Sequence, residues 1–569
     1  MNRFKSIMNS LQGKSKTGLH WLYNTNANNE DEPEKIFHYG KLDFWFSGTN
    51  FRNSEKMILY VAISNFYFGN TDWVNSIPIE NYLLYTISPV IRRLSDEYKN
   101  DCKNAREKAQ FSSQDMDECM EKKSGCFFDK AENRFVLRIH FNVPLVNALS
   151  VNAKATVRAV KEILTQIETA CNTINDGELL SWIRTYDNQQ RIREYLRKNN
   201  LCAFIADGSI LPRKSGTNKP MEQATPFQTP KELMVTIPLS DGKLLKGMGI
   251  PKGITVITGG GYSGKSTLLD AIEQGIYNHI PGDGREYVLT DMSALKVEAE
   301  DGRAVGNVNL TPFFRNLSGT NSLDNFCTAH ASGSVSQAVN MIEAVCGGVK
   351  LFMIDEDKSA TNFMIRDKNM RKIVPNEPII PFTDRIEELY EECKVSTILV
   401  IGGSSEYLAY AHTVILMDNY LPQVITGKVR ELMIEKRSEQ QKATWMRSRY
   451  LIPKNKNQPF LYFRSVVTEN EKKIILDEYS SDITHLTSLI TGEQLNTLMC
   501  IMEAVLTDQE TDQQELMEII ISYTESILGD REQSNQFNAS ETTQRFYSKI
   551  RPIDAWCCIN RMRGVLFTQ

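Results

Sequence analysis

An α/β fold built around a parallel sheet is the architecture the sequence predicts, and three observations predict it. The first is Gly259-Gly-Gly-Tyr-Ser-Gly-Lys-Ser-Thr267, set between the apolar run Ile254–Ile257 and the helix-like Leu268–Glu273. Strand, glycine loop and helix in that order are the layout of a phosphate-binding loop. The second is a pair of continuous apolar runs, Val349 to Ile354 and Ser396 to Ile401, which suit the interior of a parallel sheet covered on both faces. The third is the end of the first of those runs, Asp355-Glu356, ninety residues after Lys265. A parallel sheet can bring such a strand end and the glycine loop to one edge.

The glycine loop is justified by what it can hold. Gly259, Gly260, Gly261, Tyr262, Ser263 and Gly264 supply backbone N–H groups that can curl around phosphate oxygens, and the helix start at Lys265, Ser266 and Thr267 adds a favourable dipole. Lys265 is expected to reach the β- and γ-phosphates, and Ser266 to ligate Mg²⁺. At the second motif Asp355 is expected to anchor the magnesium sphere and Glu356 to polarise the attacking water. A strand-end Asp-Glu alone could equally be a solvated terminus; the pairing with Lys265 favours the chemical role.

Between these motifs lies Ala331-Ser-Gly-Ser-Val-Ser-Gln337, ahead of the helix-like Ala338–Val345. Alone, Ser332-Gly333-Ser334 reads as a helix N-cap. Placed twenty-three residues before Asp355, it resembles the ABC-class signature, in which a serine hydroxyl and a helix N-terminus cap the γ-phosphate bound by a partner subunit.

Size and composition bound the remainder. A chain of 569 residues with 41% hydrophobic content has room for about three or four cored domains. The net charge of -5 gives no global attraction to nucleic acid. Eleven cysteines without a CxxC pair, and histidines away from them, read as reduced thiols in an intracellular compartment, with no metal cluster. The chain has no eighteen-residue apolar run, so no membrane domain is expected. Cytoplasm is the expected location, with a mitochondrion or other organelle open. Residues 1–29 carry Arg3, Lys5, Lys14 and Lys16 and no acid, which fits either a flexible tail or a targeting segment.

Along the chain, 1–35 is expected to be a flexible tail and 36–205 an N-terminal α/β domain. In the latter, Met57–Ile63 and Arg134–Phe141 read as strands, and Asn81–Tyr98 and 153–172 as helices. Residues 100–125, charged and dotted with cysteine, read as a surface excursion. Residues 206–425 form the expected nucleotide domain, starting with a Gly, Pro, Ser and Lys-rich connection over 206–232 and further strands at Leu233–Leu239, Tyr287–Thr290 and Val414–Met417. Residues 426–569 are expected to form a smaller basic and helical domain.

The span from Ala206-Asp-Gly-Ser-Ile-Leu-Pro-Arg213 onward resembles a family of predicted ABC-class ATPases of bacteria and some eukaryotes. Pro226-Phe-Gln-Thr-Pro230, Gly247–Pro251, the glycine loop, Tyr277–Arg285 with its Gly-Asp-Gly-Arg, Glu300-Asp-Gly-Arg303, Asp355–Asp367 and Asp418-Asn-Tyr420 carry the resemblance. It implies a P-loop NTPase fold of ABC-ATPase type, with a flanking N-terminal α/β region and a smaller C-terminal domain. It also implies ATP and Mg²⁺ as cofactors and two chains stacked head to tail. One phosphate loop and one signature per chain point to a homodimer as well.

Departures from transporter ATPases are equally plain. Only sixty-seven residues separate Lys265 from Ser332, leaving little room for the helical subdomain that docks membrane domains. No switch histidine follows Ser396–Gly402; Ser404 is the candidate hydrogen-bonding replacement, and His412 lies too far along. Asn309 is the nearest substitute for a Q-loop glutamine. Arg285, Arg303 and Arg366 could reach a phosphate or a partner carboxylate, or simply close local turns.

Two basic segments, 184–219 and 428–456, the latter with Trp445, Arg447, Arg449 and Tyr450, could bind RNA or single-stranded nucleic acid or could be solvated helix faces. Two functions follow: an ATP hydrolase whose closing dimer works on such a partner, or a nucleotide-gated assembly module with little hydrolysis.

Overall fold

The computed structural model describes residues 1–22, 35–48, 54–64, 75–100, 109–317, 322–366, 368–374, 376–432, 442–446, 449–452, 465–468, 472–476, 479–507, 511–528, 545–564 and 566–568. They form two compact units, Met1–Ile183 with Glu525–Lys549, and Arg184–Thr524 with Ile550–Gln569.

The first unit begins with helix α1 (Asn2–Leu11), where a flexible tail is expected. Phe4, Met8 and Leu11 recur at helical spacing and are buried. Phe4 packs at 5.4–5.5 Å against Phe37, Phe44 and Phe46. Those rings come from β1 (Phe37–Tyr39) and β2 (Leu42–Gly48). The apolar stripe outweighs the basic charges around it, so α1 packs on this unit instead of forming a tail; 23–34 lies outside the described residues.

Strand β3 (Lys56–Ser64) is followed by α2 (Ile77–Asn100), β4 (Gln110–Ser113), β5 (Cys126–Asp129) and β6 (Arg134–Asn142). The sheet runs β1-β2-β3-β6-β4, with β5 also on β6, all antiparallel. A hairpin of two-residue strands, β7 (Leu145–Val146) and β8 (Ser150–Val151), precedes helix α3 (Ala153–Asn172).

Within the expected surface excursion, 109–125 is instead sheet and core. Phe111 and Met120 are buried, and Lys123, 2% exposed, pairs with Asp117 at 2.8 Å. Residues 101–108 lie outside the described residues. Gln114 donates to Tyr547 O at 3.1 Å and to Ser548 Oγ at 2.9 Å, which fastens the late segment to this unit.

The units divide inside helix α4 (Asp176–Lys198), where the sequence expectation is 205/206. Arg193 accounts for the earlier start. It is buried and donates to the carbonyls of Thr290, Gly275, Ile276 and Tyr277.

In the second unit β9 (Leu201–Ala206), β10 (Met234–Pro238) and β11 (Leu244–Pro251) belong to an antiparallel sheet. It is completed by β13 (Val288–Thr290) and runs β10-β11-β9-β13. Then come β12 (Ile254–Gly259), α5 (Lys265–Gln274), β13 (Val288–Thr290), β14 (Leu295–Lys296), the β15 (Val305–Val308) and β16 (Phe326–Thr328) pair, α6 (Gly333–Cys346) and β17 (Leu351–Asp355).

The main sheet is completed by β18 (Ser396–Val400), β19 (Thr413–Asp418) and β20 (Leu421–Val424). Its order is β14-β17-β18-β12-β19-β20, parallel except for the edge strand β20. Only β18 separates β12 from β17, so the glycine loop and Asp355 leave the same carboxyl edge of the sheet.

Residues beyond 426 do not form a separate unit. Tyr450–Ile452 pairs with Thr511–Asp512 and Leu566–Thr568. The helix Pro552–Asn560 is buried from Ile553 to Asn560, and its Trp556 Nε1 donates to Glu343 O at 2.8 Å. Burial pushes the Cys558 thiol up to about 12 and the Cys557 thiol up to about 11, so this doublet packs as a pair of neutral side chains. No described helix is long and apolar enough to cross a membrane.

Candidate nucleotide site

The glycine loop folds as its sequence requires. At Gly259 a Cβ would lie 2.4 Å from Met417 O and 2.9 Å from Ser263 Oγ, so no side chain fits. Gly264 takes φ +95° to open α5. Between them Gly260 and Gly261 are exposed, and Tyr262 sits at φ +58° with its ring fully exposed. Ser263 Oγ is buried without a hydrogen-bond partner.

Lys265 Nζ donates to Gly259 O at 2.9 Å and Gly260 O at 2.8 Å, bridging the loop. Thr267 is half-buried one residue beyond Ser266.

The two main motifs meet. Ser266 Oγ donates to Asp355 Oδ2 at 3.4 Å, and Asp355 is 5% exposed. A buried carboxylate beside a hydroxyl is a donor set that fits a hard divalent cation such as Mg²⁺. The orphaned Ser263 hydroxyl and the exposed loop amides fit an anion beside it. Glu356, next in the chain, accepts from the Gly402 amide at 2.7 Å and the Gly403 amide at 3.3 Å. The segment after β18 therefore does reach the acidic pair, but through backbone N–H groups. Ser404 is occupied elsewhere: its Oγ accepts from the Glu406 amide at 3.3 Å and caps a local turn.

Ser332, Gly333 and Ser334 stand at the start of α6, with Ser332 exposed as the N-cap. Gln337, which sequence reasoning passed over, wires this helix to the acidic pair. Its amide donates to Ser359 Oγ at 3.0 Å and accepts from Ala360 N at 2.9 Å, while Ser359 Oγ donates to Asp355 O at 2.8 Å. Beneath α6 lies a buried ionic cluster. Arg303 and Arg449 both pair with Glu343, and Arg561 pairs with Glu300 at 2.6 Å. Burial alone raises the Glu300 carboxyl, but Arg561 and Arg303 overcome it and hold the group at about 2.

Several expected contacts turn out to be internal. Arg285 donates to Leu211 O, Arg303 to Asn340 and Arg366 to Glu377, so these arginines are engaged within the chain, at separations of 74, 37 and 11 residues instead of inside their own turns. Asn309 donates to Thr444 O and accepts from Thr311 N, which makes it a loop brace. His412 accepts from Ile254 N through Nδ1.

The basic segment 428–456 has two of its named groups turned inward as well. Trp445 is buried against Phe313 with its Nε1 on Glu388, and Arg449 is buried on Glu343. Neither can stack on or contact an exposed base. Arg447 lies outside the described residues, as does the side chain of Tyr450.

Residues 175–451 match the family model ABC_ATPase, described as a P-loop domain. This segment is a P-loop domain of the ABC_ATPase family. It is thus a nucleotide-binding domain of the P-loop ATPase class. An uncharacterized protein of Methanocaldococcus jannaschii is 34% identical to this chain over 222 residues, covering 36% of the chain and 49% of the relative. The chain therefore spans about half the length of the curated relative it matches. A solved metal-chelate type ABC transporter in an inward-facing conformation is 16% identical, aligned over 40% of this chain and 83% of its own, with a TM-score of 0.24. The ABC_ATPase domain also holds the hydrogen-bonding groups around the acidic pair that sequence reasoning missed, namely Gln337 and the amides of Gly402 and Gly403. A lone glutamine in a helix and a Gly-Gly turn carry no distinguishing local signal.

Proposed function

We propose that the ABC_ATPase domain binds Mg²⁺–ATP and hydrolyses it, two copies closing head to tail around two nucleotides. The observation that supports this most directly is the 3.4 Å contact between Ser266 Oγ and Asp355 Oδ2, with Lys265 and Glu356 each one residue away. Ser266 and Asp355 would hold the magnesium ion, which when bound offsets charge developing on the phosphoryl oxygens. The loop amides and Lys265 bind the phosphates. Glu356 takes the proton of the attacking water, held in place by the Gly402 and Gly403 amides. The exposed start of α6 supplies Ser332 and Gly333 to the nucleotide of a second copy.

The second reading, a nucleotide-gated module with slow turnover, is favoured by those same two amides: they engage the Glu356 carboxylate where a charged imidazole is missing.

The deciding experiment is to size the full chain and its Glu356→Gln variant with and without Mg²⁺–ATP, measuring phosphate release in parallel. An ATP-dependent dimer of the variant together with turnover by the wild type supports the hydrolase. A dimer with equal, negligible turnover in both supports the gated module. A monomer under all conditions rejects the head-to-tail arrangement.

A further inference from the structure

The sheet of the first unit changes character along one face. Around Val136 of β6 that face is packed, with Trp45 and Ala62 buried against it. Toward β4 it turns polar. Ser112 stands opposite His140, and Gln110 opposite Asn142, in the β4–β6 ladder. Residues opposite one another in an antiparallel pair share a face. The alternate residues Phe111 and Phe141 take the other face and stack there at 6.4 Å.

The polar patch is one wall of a cavity of about 580 Å³, within the size range of small-molecule sites, about 300–1,000 Å³. The other wall is α2, from which Arg92, Ser95 and Lys99 line the cavity at helical spacing. Ser95 Oγ donates to Phe111 O at 2.8 Å and so pins the helix to the edge of β4. Walls fixed in advance lower the ordering cost of binding. All of these residues precede the segment that matches the ABC_ATPase model, and nucleotide chemistry gives them no task.

One group in the cavity lining is left unsatisfied. The His140 ring is buried, and its Nε2 has no hydrogen-bond partner. Buried polar atoms nearly always have one, and leaving one unpaired costs about 1–3 kcal/mol. Stacking on Phe546 holds the ring in place. Among the described residues, the Ser112 and Ser113 hydroxyls, which line the same cavity, have no partner either.

The rim carries two cations. Arg92 pairs with Asp115, and Lys99 with Asp96 at 2.8 Å. All four side chains are more than half exposed, and such pairs contribute only about 0–1 kcal/mol. They can rearrange around a stronger anion. A guanidinium has five donors and an ammonium three, so each can take a phosphate oxygen without giving up its carboxylate.

We propose that this cavity binds a small phosphorylated polyol, such as a sugar phosphate or glycerol phosphate, with the phosphate on Arg92 and Lys99 and the hydroxyls on Gln110, Ser112 and His140. A polyol hydroxyl both donates and accepts, and so do a serine, a carboxamide and a neutral imidazole. Burial, with Arg138 adding to it, keeps the His140 imidazole neutral by lowering its pKa to about 3. A bare phosphate would leave the uncharged groups unused, and a plain sugar would leave the two cations unused. A ligand that carries both parts uses the whole lining.

The test is calorimetric titration of the full chain with ribose 5-phosphate, glucose 6-phosphate and glycerol 3-phosphate. Ribose, glucose, glycerol and inorganic phosphate serve as the separate halves. Wild type is compared with Arg92→Gln, Ser112→Ala and Lys265→Ala. Arg92 and Ser112 are exposed, so their variants keep the fold, as their melting temperatures will show. At least one of the three phosphates should bind wild type at least about tenfold more tightly than either of its halves. Arg92→Gln should weaken that ligand about 10- to 100-fold and Ser112→Ala about 2- to 10-fold. Lys265→Ala should leave it within about twofold. The proposal is overturned if none of the three binds, or if one half binds as tightly as the whole. It is overturned equally if Arg92→Gln or Ser112→Ala leaves the affinity unchanged. Binding lost only in Lys265→Ala would assign the ligand to the glycine loop, removing this site and leaving the nucleotide reading intact.

Discussion

Glu356 accepts a hydrogen bond from the Gly402 backbone amide at 2.7 Å, so the carboxylate after β17 is oriented by the turn after β18, the neighbouring strand. Glu356→Gln keeps a carbonyl oxygen that can accept the same bond but removes the proton acceptor. Phosphate release is expected to fall about 10²- to 10⁴-fold, with ATP affinity unchanged within about threefold. Steady-state phosphate release with parallel calorimetry checks this; equal turnover by both proteins would falsify the assignment.

Lys265 bridges Gly259 O and Gly260 O, which keeps its ammonium at the mouth of the loop. Lys265→Ala is expected to weaken ATP binding about 10- to 100-fold, the worth of a charge-assisted contact to phosphate. Calorimetric titration gives the answer, and unchanged affinity removes the loop from its assigned role.

Asp355→Asn keeps the shape beside Ser266 and removes the charge. Added Mg²⁺ should then no longer improve nucleotide binding, while binding in EDTA stays near the wild-type value. Titrations with and without the ion distinguish this from a general loss of fold, in which both would fall.

Arg449 is a structural residue on this account. Arg449→Ala leaves Glu343 short of one partner in a buried site and should cost about 3 kcal/mol of stability. Urea unfolding measures it. A variant as stable as wild type, with RNA binding lost in a salt-dependent way, would restore the nucleic-acid role for this residue.

His140 gives a pH signature to the first unit. It is 9% exposed, its Nε2 has no hydrogen-bond partner, and its ring stacks on Phe546 at 3.9 Å. Burial, with Arg138 adding to it, lowers its pKa from 6.5 to about 3. Between those values the unfolded chain binds the proton and the folded chain does not. Its contribution is therefore intact above about pH 6.5 and declines as the pH falls, by about 2–3 kcal/mol at pH 4.5. His140→Phe should flatten that slope in denaturant unfolding between pH 6.5 and 4.5; an unaltered slope would count against it.

What was legible in the sequence follows a physical line. Strand β12, the glycine loop, α5, β17 and β18 are readable because their patterning is local: an apolar run, a turn only glycine can make, a helix start. The same holds for Ser332–Ser334 and for Asp355 and Glu356. Helix α1 was hidden because Arg3 and Lys5 mask the stripe of Phe4, Met8 and Leu11. Lys123 and Arg449 misled because a buried cation looks like a solvated one until its carboxylate is known. Asp117 lies six residues from Lys123, but Glu343 lies 106 residues before Arg449. Gln337 could have been found only by asking what the helix after Ser332 packs against.

The late segment Glu525–Lys549, fastened through Gln114, has a consequence for biosynthesis. A ribosome that has released the first 183 residues has released an unfinished body, whose missing piece is translated more than three hundred codons later. Neither body can be obtained by cutting the polypeptide at one point, and a nonsense mutation ahead of Glu525 leaves the amino-terminal unit with a gap of its own as well as removing downstream sequence.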